Sequence, residues 1–263
     1  DYYSLDFLST PFDLDAVKFL KKLVPFFKIA SADVTNIPLI EQICKTKKPV
    51  LMSTGACNLN EVKFVDDFIK KKFPKTDLAL MHCILSYPTR YSDANLNIIK
   101  VLKKKFPHRV IGYSDHTLPD KNSRVITEAY ALGAEIIEKH FTLDELKGKK
   151  NNDHFHSMDY YDLLKFWKNL SSPEKTSKKF KKLIMGKKIG RKVLNCEKIS
   201  RKNARRSLVT KKNLKQGSII KNNDIICKRP GTGISPIDIR KIVGRRITIN
   251  LPEDHIINYS DLD

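Results

Sequence analysis

A parallel (β/α)8 barrel of the TIM type followed by a small β-rich module is the α/β fold class this sequence predicts, on three observations. Through the first two thirds of the chain, strand-like apolar runs alternate with amphipathic helical stretches at intervals of roughly 20 to 30 residues, the rhythm of a parallel sheet with crossover helices. Most runs end abruptly in hydroxyl, His or Lys residues, as barrel strands do where they emerge into a site at the C-terminal rim. After Ser171 the composition turns polar and lysine-rich, then breaks into short β-like runs punctuated by Gly, Pro and Asn.

Taken in order, Leu5–Thr10 reads as the first strand, with Asp13 as N-cap of a helix carrying Leu14, Val17, Leu20 and Leu23. Residues Phe26–Ser31 open the second unit, with Asn36 capping a helix through Leu39, Ile40 and Ile43. The third opens at Pro49–Gly55, where Asn58 and Glu61 form a capping box ahead of Val62, Val65 and Ile69. Leu78–Cys83, Val110–His116 and Glu135–Phe141 begin the fourth to sixth, and Gly133 stops the helix before the last of them. That makes six of the eight units of a closed barrel. Tyr160–Leu170 is the last outer helix, so the barrel domain is expected over 1–172, a frayed helix and linker over 173–195, and the β module over 196–263.

At 263 residues and 41% hydrophobic content, the chain can bury a large core. No apolar run approaches the roughly 20 residues that cross a bilayer, and the start lacks a signal peptide's basic and small-residue pattern, so a cytoplasmic location without membrane partners is expected. Five scattered cysteines without CxxC spacing indicate reduced thiols. The formal charge of +21 comes mostly from lysines on helix faces, such as Lys70–Lys72 and Lys103–Lys105. It lacks the arginine and aromatic interleaving of a nucleic-acid platform, so a solvated basic surface is favoured over nucleic-acid binding.

Chemistry concentrates where Ile111–Thr117 is answered by Ile136–Phe141. His116 and His140 fall at neighbouring strand ends, and strand alternation puts Glu138 on the face of His140. Two neutral imidazoles on a rigid floor make half a site for a divalent metal, the alternative being that each merely caps its strand by bonding a carbonyl.

Ser9-Thr-Pro-Phe12, Lys28-Ile-Ala-Ser31, Leu51-Met-Ser-Thr-Gly55, His82-Cys83 with Tyr87-Pro-Thr89, Gly112-Tyr-Ser-Asp-His-Thr-Leu118, Glu138-Lys-His-Phe-Thr142 and Asn152-Asp-His154 with Ser157 stand in the order found in sialic acid synthases. Arg206-Ser-Leu208 and Lys228-Arg-Pro-Gly231 resemble that family's C-terminal antifreeze-like (SAF) domain. The resemblance implies condensation of phosphoenolpyruvate with an N-acylated mannosamine-type sugar, assisted by Mn2+ or Mg2+ on His116 and His140. Thr10, Lys28, Ser31, Ser53 and Ser114 match the phosphoenolpyruvate cradle. Tyr87, Asp153 and Arg229 match sugar-contacting positions, Arg229 being presented to the partner subunit of a domain-swapped homodimer. Asp153 or Glu138 would move protons. The bland readings beside these are strand-end hydroxyls bonding backbone, a packed Tyr87, a turn-forming Asp153 and a surface Arg229.

Two departures qualify the resemblance. Leu85 stands where many sialic acid synthases have asparagine, and the family's first two strands, with their glutamate and lysine, have no counterpart here. These residues alone are therefore expected to be inactive, and a non-catalytic relative is the alternative reading.

The charge distribution yields a first prediction. Fluorescence anisotropy with duplex DNA at physiological salt should show no binding; saturable binding that weakens steeply as salt rises would reverse the reading of the basic surface.

Overall fold

The computed structural model describes residues 4–143, 152–172, 176–186 and 190–263. Five parallel strands form one sheet in sequence order: β1 Phe27–Ile29, β2 Val50–Ser53, β3 Leu78–Cys83, β4 Val110–Asp115 and β5 Ile136–Lys139. Phe27 lies opposite Val50, Val50 opposite Leu78, Ala79 opposite Val110 and Gly112 opposite Ile136. Outside the sheet run α1 Leu14–Leu20, α2 Ile37–Cys44, α3 Leu59–Lys72, α4 Asn97–Lys105, α5 Arg124–Ala131, α6 Tyr160–Ser171 and α7 Lys178–Met185. Their apolar faces meet outward-pointing Phe27, Ile29, Val50, Met52, Leu80, Ile111 and Tyr113 in one continuous core.

Local chemistry explains where the helices begin. The Asp13 carboxylate accepts from the Ala16 amide at 2.7 Å. Asn58 and Glu61 exchange side-chain and backbone bonds at 2.9 Å, the expected capping box. Asn36 differs from expectation: its side-chain amide donates to Asp33 at 2.9 Å and caps nothing, and Pro38 sits in the first turn of α2 instead. Leu23 lies past the end of α1 and is exposed.

The expected first strand is also corrected. Leu5–Thr10 runs without ladder bonds; Leu5 and Phe7 are exposed, and of its apolar residues Leu8 packs on the core. Its alternation suits a strand, but a strand needs a paired edge, and among the described residues it has none. The sheet therefore contributes five strands of a TIM-type barrel.

The degree of curl can be read from one ion pair. Lys28 on β1 reaches Glu138 on β5 at 2.8 Å. Four strand spacings would set these edge strands roughly 19 Å apart in a flat sheet, more than the two side chains can span. Edge meets edge because the sheet is rolled into a half-barrel, with alternate residues of each strand facing one interior.

Residues 173–195 were expected as linker; 173–175 and 187–189 lie outside the described residues. Between them α7 buries Ile184 in the barrel core, and Arg191 is fully enclosed. Beyond, α8 Lys198–Ala204 leads into β6 Ser207–Thr210, antiparallel to β7 Ile225–Lys228, with the short helix α9 Ile239–Ile242. The other expected β runs are held by isolated bridges, Ile219 with Arg246 and Val209 with Ile256, around a second core of Leu208, Ile220, Ile242 and Ile247.

Four arginines mount this module on the barrel. Arg191 donates to Glu197 at 2.8 and 3.1 Å, and to the carbonyls of Thr54 at 3.1 Å and Cys83 at 3.2 Å. Glu197 in turn accepts from the amides of Ala56 at 2.6 Å and Leu85 at 3.1 Å. Arg201 pairs with Glu61 at 2.7 Å, Arg205 reaches Thr35 at 3.1 Å, and Arg206 pairs with Asp33 at 2.9 Å.

Burial pushes the Glu197 carboxyl up, but its bonds and charge contact with Arg191 outweigh that and hold it below the ordinary value of 4.5. Its stabilisation is therefore complete above that value and lost as pH falls through the lowered one. Arg191→Ala should destabilise the chain by about 3–5 kcal/mol in denaturant titrations, because an uncompensated carboxylate stays buried. The double variant Arg191→Ala/Glu197→Gln, which removes the charge but keeps an acceptor for the Ala56 and Leu85 amides, should recover part of that loss; a double variant no more stable than the single one would refute this account.

Candidate functional site at the barrel rim

Strand alternation delivers the site residues. On β4, Ser114 and then His116 face the interior, while Tyr113 and Asp115 face the helices. On β5, Glu138 and then His140 face in. Outward Asp115 is buried and accepts from Lys139 at 2.8 Å, the Tyr113 hydroxyl at 2.8 Å and the Thr117 amide at 3.0 Å, which fixes the backbone on both sides of His116. A Cβ on Gly112 would stand 2.8 Å from the Ile136 carbonyl oxygen, so any larger residue would displace the strand that carries Glu138 and His140.

The interior holds an ion pair surrounded by hydroxyls. The Lys28 ammonium and the Ser114 hydroxyl both donate to Oε1 of Glu138 at 3.0 Å. Ser31 accepts from the Gly55 amide at 2.9 Å, so part of its role is structural. The Ser53 hydroxyl is buried without a hydrogen-bond partner. Thr10 is half-buried at the end of its extended segment.

Beside this pair the histidines gather. The rings of His116 and His140 lie 5.2 Å apart, centre to centre, and a third imidazole, His156, lies 4.6 Å from His140. Tyr87 roofs the group, its ring 4.2 Å from His116 and 5.5 Å from His156. Asp153 approaches His140 at 3.5 Å and His156 at 4.0 Å. The segment after β5 folds back because Met158 donates to the His140 carbonyl and Thr142 donates to the Met158 carbonyl, each at 2.8 Å. His154 turns aside to the Thr142 hydroxyl at 2.8 Å. Sequence reasoning missed His156, although two histidines one residue apart beside Asp153 were a signal.

The electrostatics suit a cation. Burial lowers the pKa of His116 and His140, and lowers that of His156 to about 4, so all three are neutral, the ligating form. His116 Nδ1 faces the Ile84 carbonyl at 3.1 Å, which leaves Nε2 as the lone-pair nitrogen. His156 Nε2 is buried and has no hydrogen-bond partner. Burial raises the Cys83 thiol to about 11, so it supplies no thiolate. The donor set therefore fits a divalent ion held by imidazole and carboxylate. Arg229 is exposed, its guanidinium 5.7 Å from the centre of the Phe12 ring.

Comparison with known proteins accounts for the whole described chain. The NeuB family profile matches residues 2–182 and the SAF domain profile residues 205–263. An uncharacterised protein of Methanocaldococcus jannaschii is 41% identical over 97% of this chain and 72% of its own length. The N,N'-diacetyllegionaminic acid synthase of Legionella pneumophila is 37% identical over 94% of this chain; the chain spans 66% of that relative. The crystal structure of a spore coat polysaccharide biosynthesis protein of Bacillus subtilis superposes with a TM-score of 0.84 at 27% identity, covering 100% of this chain and 74% of that one. With one profile covering most of the half-barrel segment and the other the appended module, the chain belongs to the NeuB family, the sialic acid synthase family, and carries an SAF domain behind its barrel.

Proposed function

We propose that the whole protein condenses phosphoenolpyruvate with the aldehyde of an N-acylated mannosamine-type sugar, giving a nonulosonic acid and phosphate. The observation that carries this reading is the convergence of Lys28 and Ser114 on one carboxylate oxygen beside the histidine group. In the free chain Glu138 supplies the anion, so the donors that a small phosphorylated carboxylate needs are already aimed at one point.

In this reading C3 of phosphoenolpyruvate bonds to the aldehyde carbon, water adds at C2, and the C2–O bond to phosphate breaks. A divalent ion, manganese or magnesium, held by His116 and His140 supplies Lewis acidity at the aldehyde. Lys28, Ser114 and the unpartnered Ser53 hydroxyl hold the anion, with Ser31 and Thr10 on the same rim. Tyr87 excludes water above the imidazoles and bounds the sugar site. Asp153, 67% exposed at its side chain, is free to take the sugar hydroxyls and move a proton, whereas Glu138 is held by Lys28 and orients it. Arg229 completes the sugar site of the partner protomer in a domain-swapped homodimer. The protein works in the cytoplasm.

Phosphate release from phosphoenolpyruvate tests the reading, assayed in the whole protein with N-acetylmannosamine and its 2,4-diacetamido relatives. Release should require both metal and sugar, and His116→Ala or His140→Ala should lower kcat on the order of 1000-fold, the several kcal/mol of a Lewis acid. Lys28→Met should raise KM for phosphoenolpyruvate roughly 10- to 100-fold, as expected for losing a charge-assisted bond. Absence of release with every sugar from a folded dimer would favour a non-catalytic relative.

A further inference from the structure

We infer that His156 is a third imidazole ligand of the cation site and that, with His140 and Asp153, it shifts the site's preference from magnesium toward a first-row ion of borderline character such as Zn2+ or Co2+. This deepens the cation role proposed above and rests on that reading for its place in the reaction. Its evidence is separate.

His140, Asp153 and His156 each present a ligand atom, and these atoms all lie within 4.8 Å of one another. His140 Nδ1 lies 3.5 Å from Oδ2 of Asp153 and His156 Nε2 lies 4.0 Å from its Oδ1, so the two imidazoles flank one carboxylate at separations near the roughly 3–3.5 Å between neighbouring ligand atoms around an ion with bonds of about 2.1 Å. Asp153 is largely exposed, so its carboxylate can swing to close the remainder.

His156 also has no other evident employment. It is 2% exposed, yet its Nε2 makes no hydrogen bond. A buried imidazole nitrogen left unpaired costs about 1–3 kcal/mol, which a metal bond offsets. The neighbours do not compete for it: His154 is occupied by Thr142, and Tyr87 offers His156 its ring at 5.5 Å. His116 already directs Nδ1 to the Ile84 carbonyl. Mg2+ prefers oxygen ligands in a near-ideal octahedron and keeps several waters, whereas imidazole-rich sites suit zinc, iron, cobalt and nickel. The clustered ligand atoms come from two imidazoles and one carboxylate, with the His116 ring 5.2 Å from that of His140, and such a set belongs with the second group.

The test is metal binding by the full chain without substrates. Calorimetric titration should show one Zn2+ bound per chain, and long-range proton–nitrogen spectra should show the rings of His140 and His156 moving among the seven histidines. His156→Ala should weaken Zn2+ binding at least 10- to 100-fold, while His154→Ala should not. Mg2+ binding as tight as Zn2+, unmoved His156 signals, or unchanged affinity in His156→Ala would overturn the inference. Should the alanine variant not fold, the ring signals of the unsubstituted chain decide. Zn2+ bound through His156 without any phosphate release from the whole protein would overturn the synthase reading alone, and phosphate release by the whole protein with Zn2+ bound independently of His156 would overturn only this inference.

Discussion

The rest of the site depends on the Lys28–Glu138 ion pair, because two residues on the outermost strands can meet only across the interior of a strongly curled sheet. Once β1 and β5 face each other, the two-residue period of the intervening strands sorts every side chain. One set points at the interior and supplies the Lys28–Ser114–Glu138 cluster and the histidine floor. The other points at the helices, where even its polar members, Asp115, Tyr113 and His82, are consumed in packing. His82, for one, stacks on Tyr113 at 5.4 Å and bonds the Ala94 carbonyl through Nε2 at 2.8 Å, its Nδ1 staying buried without a hydrogen-bond partner.

The interior separates two kinds of charge chemistry within a few ångströms. On one side a buried ammonium and a half-buried carboxylate neutralise each other. On the other, burial keeps imidazoles uncharged despite a nearby aspartate. The chain's formal +21 has little bearing on either; it resides mainly on outer helix faces, while the interior holds a single paired lysine among its named site residues. This lysine lies in a low-dielectric setting, where one well-placed charge outweighs many solvated ones.

Much of this was legible in the sequence because periodicity speaks directly about faces. The five sheet strands, the Asn58–Glu61 box, the stop at Gly133 and the inward pairing of Glu138 with His140 all follow from two-residue or 3.6-residue spacing and cap chemistry. The misses share a cause, since each depends on a partner distant in sequence. Leu5–Thr10 has a strand's alternation but lacks an edge to pair with. Asn36 has an N-cap's chemistry but is claimed by Asp33. His156 joins the site only because Met158 folds back on His140, and Arg191, within the stretch expected as linker, is enclosed by carboxylate and carbonyl partners.

The arginine mount has a consequence for what counts as a unit of this protein. Arg191, Glu197 and Arg205 satisfy backbone groups at Thr54, Ala56, Cys83 and Leu85, in the loops that follow β2 and β3. The same atoms that fasten the SAF module thus finish the barrel's rim. The two regions are here energetically one object: cutting the chain between them would unroof polar backbone in the loops beside the candidate site.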